Sequence, residues 1–167
     1  TCMSGGAIND SIIVDMAEHM NSIIAVSPVQ AQAQPGVYYR DFEKATLEKN
    51  AIMPSYPASR ELCTIGGMVS NNAGGEKSLQ FGKTEQFVDE LKVVFADGKE
   101  YVVKPLTKQE LDSKMAQNDF EGNLYKQVFE LVDGSYDEIK AAKPGVSKDS
   151  TGYHLWDIWD RETGVFD

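Results

Sequence analysis

The sequence predicts an α+β fold, because its strand-like segments come first and its helix-like segments come later. Short apolar segments typical of strands lie before residue 106. The pair Asp97-Gly98, set between two apolar segments, predicts a β-hairpin. Thr107 and Glu110 then form a capping-box pattern, which predicts that a helix begins directly after the last strand.

The segments before residue 106 are strand-like in different ways. SIIVDM (11–16) is short, apolar and β-branched, which predicts a buried strand, and IIAVSP (23–28) follows it. The segment 87–106 predicts two strands joined by the Asp-Gly turn. In 29–36, glutamines alternate with apolar residues, which predicts a strand with one face in water: Val29, Ala31 and Ala33.

Helices are predicted both between the strands and after them. In VYYRDFEKATLEKN (37–50), apolar residues recur at helical spacing and define one side: Tyr38, Phe42, Ala45 and, less regularly, Leu47. Further helices are predicted from Thr107 through 111–117, over 123–132 and over 135–143.

Composition excludes several classes of partner. The chain has 167 residues, of which 41% are hydrophobic, so it forms one globular domain or part of a larger one. Its net charge of −10 argues against nucleic acid and anionic membrane as partners. No apolar run approaches the ~20 residues of a transmembrane helix. Two cysteines are too few for a disulfide framework, and a cytoplasmic setting is the default expectation.

Common nucleotide and metal motifs do not fit. FGKT (81–84) lacks the glycine of a phosphate-binding P-loop, because Lys77 stands at that position. No Gly-x-Gly-x-x-Gly occurs, which argues against a Rossmann fingerprint. The two histidines, His19 and His154, are not in clusters with ligand spacing, so no metal site is predicted.

Two glycine-rich stretches remain, TCMSGGA (1–7) and CTIGGMVSNNAGGEKSLQFG (63–82). Successive backbone N–H groups can form anion-binding concavities, and residues 1–39 contain no Lys or Arg that could bind an anion instead. A diphosphate at the first stretch would therefore be held by amides, hydroxyls and dipoles. The alternative is that these glycines only make tight turns.

Three stretches together resemble a known family: TCMSGGAINDSIIVDM (1–16), PASRELCTIGGMVSNNAGGEKSLQFG (57–82) and KDSTGYHLWDIWDRETGVFD (148–167). They are similar to the FAD-linked oxidases of the vanillyl-alcohol-oxidase type, and more closely to the D-lactate, glycolate and D-2-hydroxyglutarate dehydrogenase branch. The resemblance implies a partial PCMH-type FAD-binding domain, with a mixed, mostly antiparallel sheet flanked by helices.

The resemblance also implies a division of the chain. It runs through 1–104 and 147–167, so 1–106 is expected to be the core of the FAD-binding domain and 147–167 its return segment. Segment 107–146 carries no motif of the family and is expected to be a helical insertion. The family's leading glycine run and a later Gly-Thr-Leu-Gly segment are missing, so we expect a domain truncated at both ends.

By motif match, the resemblance implies three groups of FAD-binding residues. The first diphosphate loop would end in Thr1, Cys2, Met3, Ser4, Gly5 and Gly6. The isoalloxazine ring and ribityl chain would be lined by Pro57, Ala58, Ser59, Cys63, Thr64, Gly66 and Gly67. The diphosphate and adenosine would be covered by Asn71, Asn72, Ala73 and Gly74. No catalytic residue is assigned within the chain.

The implied activity is that of an FAD-dependent dehydrogenase that oxidises a small D-2-hydroxy acid by hydride transfer to FAD. The substrate would bind through a domain outside this sequence. Relatives with the GYxLWDxWDRETGVFD pattern often carry an iron–sulfur domain that takes the electrons, and a location at the membrane periphery is compatible with that role. Two alternatives stay open: a non-catalytic nucleotide-binding or interaction module, and a flavin oxidase acting on another alcohol or an amino sugar.

Overall fold

We describe residues 10–146, 149 and 153–167 of the chain from a computed structural model. The chain forms two compact units, Thr1–Val88 and Asp89–Asp167, and each has a hydrophobic core of its own. Both combine short helices with small sheets, and every strand pairing among the described residues is antiparallel. The predicted α+β class is therefore confirmed.

The first unit consists of short elements joined by long irregular segments. They are α1 (Met16–His19), β1 (Ile23–Val26), β2 (Ala31–Ala33), α2 (Tyr39–Leu47), α3 (Ile65–Ser70), α4 (Ser78–Phe81) and a 3₁₀ helix (Thr84–Phe87). The alternation of glutamine and alanine predicts a strand over 29–36, and β2 lies within it, paired antiparallel with β1. The prediction is wrong at Val29, which is 93% exposed and lies in the turn between the two strands.

The predicted buried strand at 11–16 is wrong. Residues 11–15 form neither strand nor helix, and Ile12 is 92% exposed. Asp15 instead caps α1, its carboxylate accepting a hydrogen bond from the Ala17 N–H at 2.9 Å. The N-cap at Asp15 therefore starts a helix at Met16, the last residue of the predicted strand. Ile12 has a high strand propensity, but it pairs with no strand among the described residues.

Helix α2 is confirmed, but its buried face differs from the predicted one. Its buried residues are Tyr39, Phe42 and Thr46, whereas Leu47 is 53% exposed. Tyr38 is the N-cap of the helix and forms an isolated antiparallel bridge with Thr64. Phe42 is buried as predicted, whereas Tyr39 and Thr46 are buried in place of their neighbours Tyr38 and Ala45.

The second unit places a hairpin and a small sheet beside helices. Its elements are β3 (Leu91–Val94), β4 (Glu100–Val103), β5 (Leu106–Thr107), α5 (Lys108–Met115), α6 (Phe120–Gly134), α7 (Tyr136–Ala141), a 3₁₀ helix (Leu155–Asp157), β6 (Trp159–Asp160) and β7 (Val165–Phe166). Strands β5, β7 and β6 form a sheet in that order.

The local signals in this unit are confirmed. Strands β3 and β4 pair around the predicted turn, where Gly98 has φ +78° and the Asp97 carboxylate accepts the Lys99 N–H. The capping box of α5 is complete, because Thr107 Oγ1 accepts the Glu110 N–H and Glu110 accepts the Thr107 N–H. Helices α6 and α7 lie where the sequence predicts them.

The residues after 153 pack on the helices of the same unit. The Trp159 indole N–H donates to Asp133 Oδ1 at 2.9 Å, and Arg161 Nε donates to the same oxygen at 2.8 Å. Arg161 also lies over the Tyr136 ring, 4.2 Å from its centroid. The predicted division of the chain at 106 and 146 stays a prediction. Over the described ranges, no helix is long and apolar enough to cross a membrane.

Candidate functional site

The predicted cofactor residues fall into a described and an undescribed part. Thr1, Cys2, Met3, Ser4, Gly5 and Gly6 lie outside the described residues. All the others lie in the first unit, between the end of α2 and the start of α4. They come from one continuous stretch of chain, 57–74, and include helix α3.

A cavity of about 360 Å³ opens beside the start of this stretch. It is lined by Tyr56, Pro57, Ala58, Arg60 and Glu76. Two of these, Pro57 and Ala58, are predicted to line the flavin ring. Ligand cavities typically measure ~300–1,000 Å³, so this one suits a ring-sized part of a ligand.

The other cavity residues were missed by sequence reasoning. Tyr56 and Arg60 flank the predicted ring residues, whereas Glu76 comes from beyond Gly75 and meets Tyr56 across 20 positions of sequence. The one sequence signal for Tyr56 and Arg60 is that they directly flank the predicted ring residues Pro57, Ala58 and Ser59. Glu76 lies within the stretch 57–82 that carries the family resemblance, but no residue pattern there singles it out as a cavity residue.

Helix α3 begins at the first glycine pair, and its first N–H groups are already bonded. Thr64 caps it, with Oγ1 accepting from the Gly67 N–H at 3.2 Å. The Ile65 and Gly66 N–H groups donate to the carbonyls of Val37 and Pro35, both at 2.8 Å. Free N–H donors, expected from the glycine pattern, are therefore not found at residues 65–67.

Gly66 has a structural cause within the unit. A Cβ atom there would lie 2.6 Å from the Cβ of Pro35 and 2.9 Å from its carbonyl oxygen. Real Cβ atoms essentially never come so close, so the segment before α2 approaches α3 because residue 66 has no side chain.

The second glycine pair follows a tightly bonded turn. Asn72 adopts a left-handed conformation (φ 42°), and its side-chain oxygen accepts the Glu85 N–H. The Gly75 N–H donates to Ser78 Oγ at 2.7 Å. A Cβ atom at Gly74 would lie 2.5 Å from the same oxygen.

Two predicted cofactor residues have buried side chains. Cys63 and Ala73 are each 4% exposed and belong to the core of the first unit. Burial raises the pKa of the Cys63 thiol, as expected for a structural cysteine. The Ala73 carbonyl accepts from both the N–H and the hydroxyl of Thr84. These two side chains belong to the core rather than to an accessible surface, and the predicted assignment of all the cofactor residues stays a prediction.

The residues that remain accessible fit a flavin in size. Ala58 and Asn71 are exposed, and Pro57, Ser59 and Thr64 are half-buried. All are small or uncharged, so they leave room for a flat aromatic ring and its polyol chain. The stretch thus offers a cavity and small side chains rather than a set of free amides.

Among the described residues, no group of three or more His, Cys, Asp or Glu side chains lies close enough together to hold a metal ion. His154 stacks on Trp156, with 5.0 Å between ring centroids, and its Nε2 lies 3.6 Å from Asp149 Oδ2. His19 is exposed beside Glu18.

Comparison with known proteins identifies the family and several relatives. The model of the FAD binding domain family matches residues 1–104. The D-2-hydroxyglutarate dehydrogenase of Escherichia coli (strain K12) is 27% identical over 169 residues, which cover 100% of this chain and 17% of that protein. The glycolate oxidase subunit GlcD of Bacillus subtilis (strain 168) is 35% identical over 100 residues, which cover 59% of this chain and 20% of that protein.

A D-lactate dehydrogenase of Archaeoglobus fulgidus is 32% identical over 101 residues, 59% of this chain and 23% of that protein. The chain therefore spans less than a quarter of the length of these relatives. No solved structure matches the chain significantly. The predicted resemblance is confirmed. Because the family model covers more than half of the chain, the chain belongs to the FAD binding domain family, whose cofactor is FAD.

Proposed function

We propose that the whole protein is an FAD-dependent dehydrogenase that oxidises a small D-2-hydroxy acid, and that residues 57–74 carry part of its FAD site. The observation that carries this proposal is the match of the FAD binding domain family to residues 1–104. Relatives named D-2-hydroxyglutarate dehydrogenase, glycolate oxidase subunit and D-lactate dehydrogenase support the substrate class.

Among these substrates, D-2-hydroxyglutarate is the one that we favour. The relatives that match over nearly the whole chain share that name: those of Escherichia coli, Pseudomonas putida and Pantoea ananatis cover 100%, 97% and 100% of it. The glycolate oxidase subunit and the D-lactate dehydrogenase match 59% of it, as do two further relatives named D-2-hydroxyglutarate dehydrogenase, those of Haemophilus influenzae and Xanthomonas citri. The similarity beyond the shared FAD-binding part thus points toward the five-carbon dicarboxylate.

FAD, when bound, supplies the electron acceptor for the hydride that leaves the substrate's α-carbon, while the substrate hydroxyl loses a proton. In this chain, Pro57 and Ala58 would border the ring and leave space for it at the cavity. Thr64 fixes the start of α3, and Gly66 lets that helix approach Pro35. Cys63 and Ala73 fill the core behind the site and keep its backbone in place.

The partners and location are proposals of the same kind. The substrate would bind through another part of the protein, and the electrons would leave through an iron–sulfur domain or subunit. We place the protein in the cytoplasm or at the membrane periphery. The net charge of −10 makes a direct electrostatic attachment of this part of the protein to anionic lipid unfavourable.

The proposal is tested by anaerobic reduction of the FAD-loaded whole protein. We expect D-2-hydroxyglutarate to bleach the yellow flavin absorbance and D-lactate and glycolate to do so more slowly, with L-2-hydroxyglutarate and L-lactate as controls. Bound FAD that none of these acids reduces would favour a non-catalytic module or an oxidase of another alcohol. A protein that retains no FAD would contradict the proposal itself.

A further inference from the structure

Tyr56 directly precedes the first of the two stretches that carry the proposed FAD residues, 57–67, and contacts the residues that directly follow the second, 71–74. Its side chain is buried, with 5% exposure, and its ring packs on Tyr39 with 5.5 Å between centroids. The hydroxyl reaches out of the core and donates to Glu76 Oε1 at 3.2 Å. Glu76 directly follows the second glycine pair, so this bond joins the start of one stretch to the end of the other.

The main chain of Tyr56 makes the same connection. A Cβ atom at Gly75 would lie 2.1 Å from the Tyr56 carbonyl oxygen, so the two backbones are in direct contact. Any side chain at residue 75 would force them apart. The spacing of the two stretches is therefore fixed at Tyr56 by a backbone contact and by a side-chain hydrogen bond.

The Tyr56 ring also contacts a cation from each side of the site. The guanidinium of Arg60 lies 5.1 Å from the ring centroid, and the ammonium of Lys77 lies 5.7 Å from it. Arg60 is further held by Glu43 of α2, with 3.6 Å between Nη1 and Oε1. Tyr56 thus contacts both charged groups that line the cavity, Arg60 through its ring and Glu76 through its hydroxyl.

We propose that Tyr56 is a positioning residue for FAD: through its bond to Glu76 it sets the width of the cavity that would receive the flavin ring. It acts on the cofactor indirectly, through Pro57, Ala58 and Glu76. This inference rests on the proposed function, because it names the residue that holds the proposed FAD site in its binding shape. A hydrogen bond to a carboxylate is stronger than a neutral one, so its loss is measurable.

The test compares Tyr56→Phe with a matched control, Tyr101→Phe. Each substitution removes one tyrosine hydroxyl that donates to a carboxylate; Tyr101 donates to Asp97 Oδ2 at 2.7 Å in the β3–β4 hairpin of the other unit. The dissociation constant for FAD is measured on the whole protein by quenching of flavin fluorescence. We expect Tyr56→Phe to raise it about five- to tenfold and Tyr101→Phe to leave it within about twofold.

A double-mutant cycle shows whether the effect passes through the bond. Glu76→Ala should weaken FAD binding. The double variant Tyr56→Phe/Glu76→Ala should bind FAD as tightly as the weaker-binding of the two single variants, because both substitutions remove the same hydrogen bond. The shape of the flavin absorption band should change in the Tyr56→Phe complex and not in the control.

The outcomes separate this inference from the function on which it rests. An unchanged FAD affinity in Tyr56→Phe, additive effects in the cycle, or an equal loss in the Tyr101→Phe control would overturn the positioning role while the protein still binds FAD. An unsubstituted protein that binds no FAD would overturn the proposed function and this inference with it.

Discussion

Glycines in the two units have different surroundings. In the first unit, a Cβ atom at Gly66 would collide with Pro35, and one at Gly75 would collide with the carbonyl of Tyr56. In the second unit, Gly134 and Gly145 have no heavy atom within 4 Å of that position, and of the described glycines there only Gly122, at the start of α6, would bring a Cβ atom close to backbone, 2.3 Å from the carbonyl oxygen of Gln117. The glycine density of 63–82 thus has a cause inside the fold, because backbone passes against backbone there, in addition to any ligand that the stretch binds.

The two units also differ in what holds their elements in place. In the first, hydrogen bonds between distant backbone groups connect the start of α2 with the segment that leads into α3, such as that from the Tyr39 N–H to the Cys63 carbonyl at 2.9 Å. In the second, caps and turns act within a few residues, and one side chain, Asp133, binds both Trp159 and Arg161. Backbone bonds between distant segments are thus prominent around α2 and α3, and the shared carboxylate of Asp133 joins the segment after residue 153 to α6.

The largest expected effect is that of Gly75→Ala. The new methyl group would lie 2.1 Å from a backbone oxygen that cannot rotate away, so we expect a loss of about 3 kcal/mol or more in the free energy of unfolding. Urea denaturation measures it. Gly134→Ala is the matched control, because its methyl group would lie in open space at the end of α6. It should raise the free energy of unfolding by roughly a few tenths of a kcal/mol. Equal effects at both positions would refute the contrast between the units.

The second prediction concerns Asp133→Ala. It leaves the buried Trp159 indole N–H without an acceptor and removes the carboxylate partner of Arg161, so we expect a loss of about 2–3 kcal/mol. Thermal unfolding followed by tryptophan fluorescence reports on this site directly. Asp112→Ala, which removes an exposed i,i+4 ion pair with Lys108, should cost only about 0.3–0.5 kcal/mol. A loss no larger than that of the control would contradict the role of Asp133.

A smaller effect is expected for the cap of α5. Thr107→Ala removes the side-chain acceptor of the Glu110 N–H and should cost about 1 kcal/mol. Thr107→Ser keeps the hydroxyl and should recover most of that stability. Circular dichroism during urea denaturation measures both variants, and a Ser variant as unstable as the Ala variant would show that the cap does not matter.

The smallest effect is a pH dependence. Hydrogen bonds from Arg161 and Trp159 lower the pKa of the Asp133 carboxyl below its ordinary value. A carboxyl whose pKa is lower in the folded state stabilises the fold at pH above its unfolded value, and this stability is lost as the pH falls through the folded value. Asp133→Asn should therefore flatten the acid side of a plot of melting temperature against pH. An unchanged slope would mean that Asp133 contributes nothing to it.

Local signals explain why the second unit could be predicted from sequence. The Asp97-Gly98 turn and the Thr107–Glu110 capping box each specify a structure within a few residues, and both are confirmed. In the first unit, Ile12 and its neighbours have strand propensity without a partner strand, so the prediction of a buried strand is wrong. Strand formation depends on distant pairing, which a short window of sequence cannot show.

The candidate site could be predicted only in part for the same reason. Its glycine segments stand out in the sequence, and they mark where the chain needs space. The burial of Cys63 and Ala73 and the bond between Tyr56 and Glu76 arise from tertiary contacts and carry no sequence signal. Glycine density shows that something passes close to the backbone, but not whether it is a ligand or the chain itself.

Hydrogen–deuterium exchange of the whole protein, with and without saturating FAD, tests the central claim that the first unit carries the FAD site. We expect FAD to slow the exchange of backbone amides in 57–75 and to leave those of α6 and α7 unchanged. Several amides of 57–75, such as that of Gly66, are already bonded within the unit, so slower exchange there would report tighter closure of the stretch on the cofactor. Slower exchange confined to α6 and α7, or no change in 57–75 at saturating FAD, would contradict the account.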